Sequence, residues 1–252
     1  GDDALRHFKT IATRTLSPFA SAVLLDRPYA VADARPGTIS PDCRFILAAD
    51  VLHQPPGEGV AETSLDPLVT PGYVRQVGAD AIKLLVMWRP DGQAAARAAL
   101  VESFLGVARA AGVASLVEAI ARPATGDTWD SAEARLEAIL EAAREIAPLG
   151  GSIYKAEVPG YIPGDVSRVR EHAERMTEIV PQPWVVLSNG VAPADFAAAV
   201  REACLGGAQG FLAGRAIWAD TVADADTDTA LKARSTERLR TLGEIVAAAR
   251  RP

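Results

Sequence analysis

Seven short apolar runs punctuate the chain, at 22–26, 44–50, 81–87, 114–120, 152–159, 184–187 and 210–216. A strand with one wet face alternates apolar and polar residues. These runs stay apolar through successive positions, so both faces have to be covered. Segments with helical spacing separate them, expected over 3–16, 70–77, 93–111, 131–147, 165–180, 193–205 and 229–250. In the first, Leu5, Phe8, Ile11 and Ala12 mark one face, and Ser17-Pro18 ends it. Asp130 or Ser131 is placed to cap the fourth, and Gly112 to stop the third. Doubly covered strands alternating with helices predict an α/β fold, a parallel sheet with helices outside. A (β/α)8 TIM barrel needs eight strands, and here seven are readable with a helix ahead of the first. The expectation is therefore one barrel domain over 1–252 whose first strand is absent from this chain. A doubly wound sheet is the alternative, because alternation alone does not dictate closure.

Composition narrows the function by exclusion. The chain has 252 residues, 49% of them apolar, which supports a large core. A formal net charge of −6 argues against a nucleic-acid or anionic-membrane surface. No run approaches the length of a membrane span and no signal segment precedes the first helix, so a cytoplasmic location is expected. Cys43 and Cys204 have no metal or redox spacing, and His7, His53 and His172 do not cluster. No metal and no cofactor is expected, since no Gly-x-Gly-x-x-Gly follows a strand either. The stretch 27–42 reads as turn-rich and polar with room for a short helix, and 55–59 and 220–228 read as loops, the last acidic, solvated and without evident chemistry.

Charges inside apolar strands are the informative departures. Lys155 sits in mid-strand two positions from Glu157, so both face one way while Tyr154, Ala156 and Val158 face the other. A buried ammonium is costly unless paired or neutral, and a neutral lysine is a nucleophile. Two readings follow: a structural Lys155–Glu157 ion pair, or a Schiff-base lysine. Lys83 and Glu118 lie inside neighbouring strands. A second cation lowers the pKa of Lys155, and a glutamate can move protons. Asp26 and Asp50, at strand ends, are equally substrate-hydroxyl ligands or helix caps. In a barrel, phosphate is commonly held after the last two strands. Ser188-Asn189-Gly190 and Gly214-Arg215 stand there, offering backbone N–H groups, a hydroxyl and a guanidinium to an anion.

Several motifs together resemble a known family. Tyr154-Lys155-Ala156-Glu157-Val158-Pro159, Trp184-Val185-Val186-Leu187-Ser188-Asn189-Gly190-Val191 and Gly210-Phe211-Leu212-Ala213-Gly214-Arg215-Ala216-Ile217-Trp218 look like the class I aldolases related to tagatose-1,6-bisphosphate aldolase. Leu16-Ser17-Pro18-Phe19-Ala20-Ser21-Ala22-Val23-Leu24-Leu25-Asp26, Lys83-Leu84-Leu85-Val86-Met87-Trp88-Arg89 and Leu242-Gly243-Glu244-Ile245-Val246 resemble its sulfofructosephosphate aldolase branch. The resemblance implies a Schiff base on Lys155, Glu118 as acid/base and Lys83 as companion lysine. It also implies that Ser188, Gly190, Gly214 and Arg215 hold an anionic group. From the residues themselves, Asn189 is expected beside them at that site, and Asp26, Asp50 and Glu157 are further candidate substrate contacts. The implied partner is a small phosphorylated ketose, acted on by a homo-oligomer. Ala156 replaces a valine of the family pattern, and Asn189 a small residue. The family's first strand carries an Asp-Gln-Arg motif, and nothing before Gly1 supplies it: either that segment is left out of the sequence as given, or part of the substrate site is missing. Rival readings are tagatose or fructose bisphosphate cleavage, a phosphosugar isomerase or epimerase using Glu118, and a non-catalytic phosphosugar-binding regulatory module.

Overall fold

Apolar runs without a wet face pair side by side and leave their coverage to helices, and the chain does both. The computed structural model describes residues 1–55 and 60–250. Of the loop expected at 55–59, all but Pro55 lies outside the described residues. The strands are β1 (Ala22–Leu25), β2 (Arg44–Ala48), β3 (Asp50–His53), β4 (Glu62–Leu65), β5 (Ala81–Trp88), β6 (Ala114–Ala121), β7 (Ile153–Ala156) and β8 (Trp184–Val186). Six of them form one parallel sheet in the order β1-β2-β5-β6-β7-β8.

The helices are α1 (Asp2–Leu16), α2 (Arg27–Ala30), α3 (Pro71–Gln76), α4 (Ala94–Ala111), α5 (Ala132–Ile146), α6 (Val169–Ile179), α7 (Phe196–Leu205), α8 (Arg215–Trp218), α9 (Thr227–Ala230) and α10 (Thr236–Ala249). Local signals set several ends. The Thr70 and Ser131 side chains accept from the backbone N–H groups of Tyr73 and Ala134, capping α3 and α5. Gly112 closes α4 at φ +76°, a left-handed conformation that a side chain would strain.

The parallel sheet sorts its side chains by parity. Ile82, Leu84, Val86 and Trp88 of β5 point outward and join Val101, Phe104 and Leu105 of α4 and Ile139 and Leu140 of α5 in the main core. Fully burying each such side chain is worth about 1.5–3 kcal/mol, so this outer layer is where the fold gains its stability. The inward face is different. Ile46, Ala81 and Leu116 form a lower apolar layer with Ala22, Leu24, Ile153 and Leu212, drawn from around the sheet. Leu85, Met87, Ile120 and Leu187 form an upper one, with Val60 against it. Between the two lie Asp50, Lys83, Glu118 and Lys155.

Three expectations need correction. The seventh run does not form a strand over 210–216. Phe211 makes a single parallel bridge to Val186, and from Gly214 the backbone turns, so Arg215 opens α8 instead of closing a strand. Trp218 packs back on Gly214 at 3.5 Å from where a Cβ would stand. The second run breaks at Ala49, and Asp50–His53 leaves the sheet to pair antiparallel with Glu62–Leu65, a hairpin inside what reads as a loop. The last helix is two helices joined by a π turn at Leu231–Ser235. The 220–228 stretch is also less free than its composition suggests. Hydrogen bonds from Arg238, joined by Arg234, hold the Asp220 carboxyl down to about 2.

Across the rim, α1 packs on α2 beside β1 and also on α9 and α10 at the other end of the sheet. Phe8 meets Trp218 edge to face at 5.1 Å, and the Thr15 hydroxyl donates to Asp228. This helix links the two ends of the sheet.

Candidate active site

Strand register brings the internal charges together. Glu118 lies opposite Lys155 on β7, and Lys83 on β5 lies one level away, opposite Leu116. Period-2 alternation aims all three side chains inward. One carboxylate oxygen, Glu118 Oε2, stands 3.0 Å from Lys155 Nζ and 3.1 Å from Lys83 Nζ. That oxygen thus forms ion pairs with two ammonium groups. Lys83 Nζ also donates to Asp50 Oδ2 at 2.9 Å, and the same oxygen accepts the Leu85 N–H at 2.6 Å. Lys83, Glu118 and Lys155 are each 6–7% exposed.

Burial and pairing pull these groups in different directions. Burial alone would push the Glu118 carboxyl up, but the ammonium groups of Lys83 and Lys155 override it and hold it below the usual range. Burial alone would push Lys83 down, but the Glu118 and Asp50 carboxylates override it and hold it well up. For Lys155, burial wins: helped by the Lys83 charge, it outweighs Glu118 and lowers the pKa. Lys83 stays charged, Glu118 stays ionised, and Lys155 is the group whose proton is loosened.

Of the other sequence candidates, Asp50 joins this cluster and Asp26 does not. Asp26 pairs with Lys9 of α1 and makes no side-chain cap on α2. Glu157 is buried but is not the partner of Lys155. It accepts from Arg135 Nη2 at 3.0 Å, the Ala121 N–H at 2.9 Å and Asn189 Nδ2 at 3.2 Å. The Lys155–Glu157 ion pair considered from sequence is thus replaced by two pairs, Lys155–Glu118 and Glu157–Arg135. Ser188, Asn189 and Gly190 follow β8, and Gly214 and Arg215 follow the Phe211 bridge, so both groups stand where strands end. The Asn189 side chain joins them, accepting from Arg215 Nη2 at 3.4 Å while donating to Glu157. Gly190 is at φ +75°, and a Cβ there would stand 2.8 Å from Arg135 Nη2. Only glycine lets the guanidinium lie so close.

Sequence reasoning passed over two arginines. Arg122 follows β6 directly and Arg135 lies in the first turn of α5, and both line a cleft of about 410 Å³ with Glu157, Tyr161, Asn189 and Gly190. Arg122 could have been found by its place just beyond a strand end, the same place as Arg215. Among the described residues, no cluster of three or more His, Cys, Asp or Glu could hold a metal ion. Nor is any described helix long and apolar enough to cross a membrane.

A family model for DeoC/LacD family aldolases matches residues 1–220, most of the chain. The chain belongs to the DeoC/LacD family. Among the chain's relatives is the tagatose 1,6-diphosphate aldolase of Listeria monocytogenes, 28% identical in an alignment that covers 85% of this chain and 69% of the relative. The fold matches fructose-bisphosphate aldolase from Plasmodium falciparum with a TM-score of 0.70 at 13% identity, covering 98% of this chain and 83% of that one. It also matches a Schiff-base-forming fructose-1,6-bisphosphate aldolase, with a TM-score of 0.63 at 15% identity over 97% of this chain and 84% of the other. The DeoC/LacD member described here is a class I aldolase on a TIM-barrel framework.

Proposed function

We propose that this aldolase cleaves a ketose 1-phosphate through a Schiff base on Lys155. The observation that carries the reading is the single Glu118 oxygen set between two ammonium groups, one loosened and one held. Lys155 sheds its proton, and one of the two cations that kept Glu118 ionised is gone. Glu118 then becomes basic enough to carry that proton, a coupled titration of the pair. The Lys155 nitrogen lone pair attacks the C2 carbonyl, whose π electrons move to oxygen, and the carbinolamine forms. Glu118 gives its proton to the departing hydroxyl, water leaves, and an iminium remains. The restored Glu118 carboxylate is the base in reach for the C4 hydroxyl. As that proton leaves, the C3–C4 bonding pair flows into the iminium and the aldehyde departs. Protonation of the enamine at C3 and hydrolysis then release dihydroxyacetone phosphate and free Lys155.

The substrate we favour is 6-deoxy-6-sulfofructose 1-phosphate, giving sulfolactaldehyde, on the likeness of the motifs at 16–26, 83–89 and 242–246. Tagatose or fructose 1,6-bisphosphate is the second reading, supported by what the Listeria relative is named for. Ser188, Gly214 and Arg215 take the 1-phosphate in both readings, while Gly190 lies against Arg135.

Borohydride trapping with dihydroxyacetone phosphate, read by peptide mass spectrometry, tests the chemistry. The expected result is one reduced adduct, on Lys155. An adduct on Lys83 instead would reassign the nucleophile, and none at all would leave a phosphosugar-binding module.

Lys83→Met tests the division of labour between the two lysines. Removing Lys83 takes away a repelling charge and leaves Glu118 to Lys155 alone, and both changes favour the Lys155 ammonium. The acid limb of the kcat/KM profile should therefore move to higher pH. An unmoved limb would mean that Lys83 does not tune Lys155.

A further inference from the structure

Glu157 divides two regions. On one side, two residues back along the strand, is Lys155; on the other is the cleft lined by Arg122, Arg135, Tyr161, Asn189 and Gly190. Glu157 lies just past the end of β7, and residues two apart in extended chain stand about 7 Å apart, so the cleft lies one step beyond Lys155. The cleft also has a charge to satisfy. Glu157 is matched by Arg135 at 3.0 Å and by two further donors, so its charge is spent. The Tyr161 hydroxyl is spent too, donating to Asp195 at 2.8 Å and accepting the Ala192 N–H. Among the described residues Arg122 makes no ion pair, and its Nη1 donates to the carbonyl of its own neighbour Ala121 at 3.2 Å. That leaves a half-buried guanidinium as the uncompensated charge of a concave, partly apolar site.

We propose that this cleft is the subsite for the far anionic end of the substrate, and that Arg122 is the residue that selects for it. The proposal rests on the Schiff-base reading of Lys155 given above. The ligand chemistry is a tetrahedral oxyanion, phosphate or sulfonate, on the terminal carbon of the aldehyde half. Guanidinium meets two oxygens of such a group at once. Arg135 has a different task. Glu157 in front and Gly190 beside it fix its guanidinium, and it serves as wall and as electrostatic support. The 1-phosphate and the distal anion would then lie on opposite sides of Asn189, whose amide reaches Glu157 on one side and Arg215 on the other.

The test runs in the condensation direction, with dihydroxyacetone phosphate and three acceptors: glyceraldehyde 3-phosphate, sulfolactaldehyde and uncharged glyceraldehyde. In Arg122→Ala the preference for the charged acceptors over glyceraldehyde, as a ratio of kcat/KM, should fall about 10- to 100-fold, the range for a lost hydrogen-bonded charge. Arg122→Lys, which keeps the charge and loses the fork, should recover part of that preference. The ratio between the two charged acceptors in the wild-type chain tells phosphate from sulfonate. An equal loss for charged and uncharged acceptors, or no loss, overturns the subsite. Trapping on the wild-type chain is read separately. Its absence removes the aldolase reading and this subsite with it, whereas an adduct on Lys155 with unchanged preference in Arg122→Ala removes the subsite alone.

Discussion

Replacing Lys155 with alanine should lower turnover by at least about 10⁴-fold and remove the borohydride adduct altogether. Nothing else in the charged layer can substitute. Lys83 is the nearest amine, but two carboxylates hold it charged, and an ammonium has no lone pair to attack a carbonyl. The loss is large because covalent catalysis is removed and not merely weakened, and groups that act as a unit fail together. The protein should still fold. Lys83 keeps Asp50 and Glu118 as partners, so no carboxylate is stranded, and the main outer core is untouched. Steady-state rates and an unfolding curve on the same preparation check both halves. A variant that turns over at near-normal rate would remove Lys155 from the mechanism.

Glu118→Gln should lower kcat by about 10²- to 10⁴-fold, the usual range for a positioned acid/base. Its pH profile should also move opposite to that of Lys83→Met. Without the carboxylate, Lys155 faces the Lys83 charge with no compensation, its ammonium is less favoured, and the acid limb goes to lower pH. Stability supplies a second readout. The folded pKa of Glu118 lies below its unfolded value of about 4.3, so its ion pairs contribute above that pH and are lost as pH falls through the folded value. The stability gap between wild type and Glu118→Gln should therefore be present near neutrality and close in acid. Titrating both proteins by thermal denaturation from neutral pH downward measures it, and a gap that widens in acid would contradict the ion-pair account.

The lumen charges were legible because they break a rule. A lysine or glutamate inside a run otherwise apolar on both faces has to point into a space where another charge meets it, and Lys83, Glu118 and Lys155 do. Asp50 was legible only as a polar strand end. Its pairing with Lys83 depends on β5 lying beside β2, and on the chain turning out of the sheet at Ala49, neither of which the spacing shows. The β3–β4 hairpin was missed because Asp-Val-Leu-His and Glu-Thr-Ser-Leu are short and mixed in polarity, and proline and glycine lie between them. The seventh run was overread. Phe211-Leu212-Ala213 is as apolar as its neighbours, but one bridge is all the pairing it finds before Gly214 turns the backbone. Arg122 and Arg135 were passed over for the opposite reason. Arginine beside a loop or in the first turn of a helix is so common on surfaces that only the shared cleft sets these two apart.

The hairpin carries one more consequence. Thr63 of β4 donates to the Leu85 carbonyl at 2.7 Å, Asp50 at its root accepts the Leu85 N–H, and Val60 rests on the apolar layer above the lysines. An amine that gives up its proton readily is also vulnerable to cyanate, to free sugars and to any small aldehyde. Here the apolar layer of Leu85, Met87, Ile120 and Leu187, with Val60 against it, lines the lumen next to that amine. The segment that seats Lys83 thus also adds to the apolar lining around Lys155, which is 6% exposed, so chemical durability and catalytic readiness share one piece of chain.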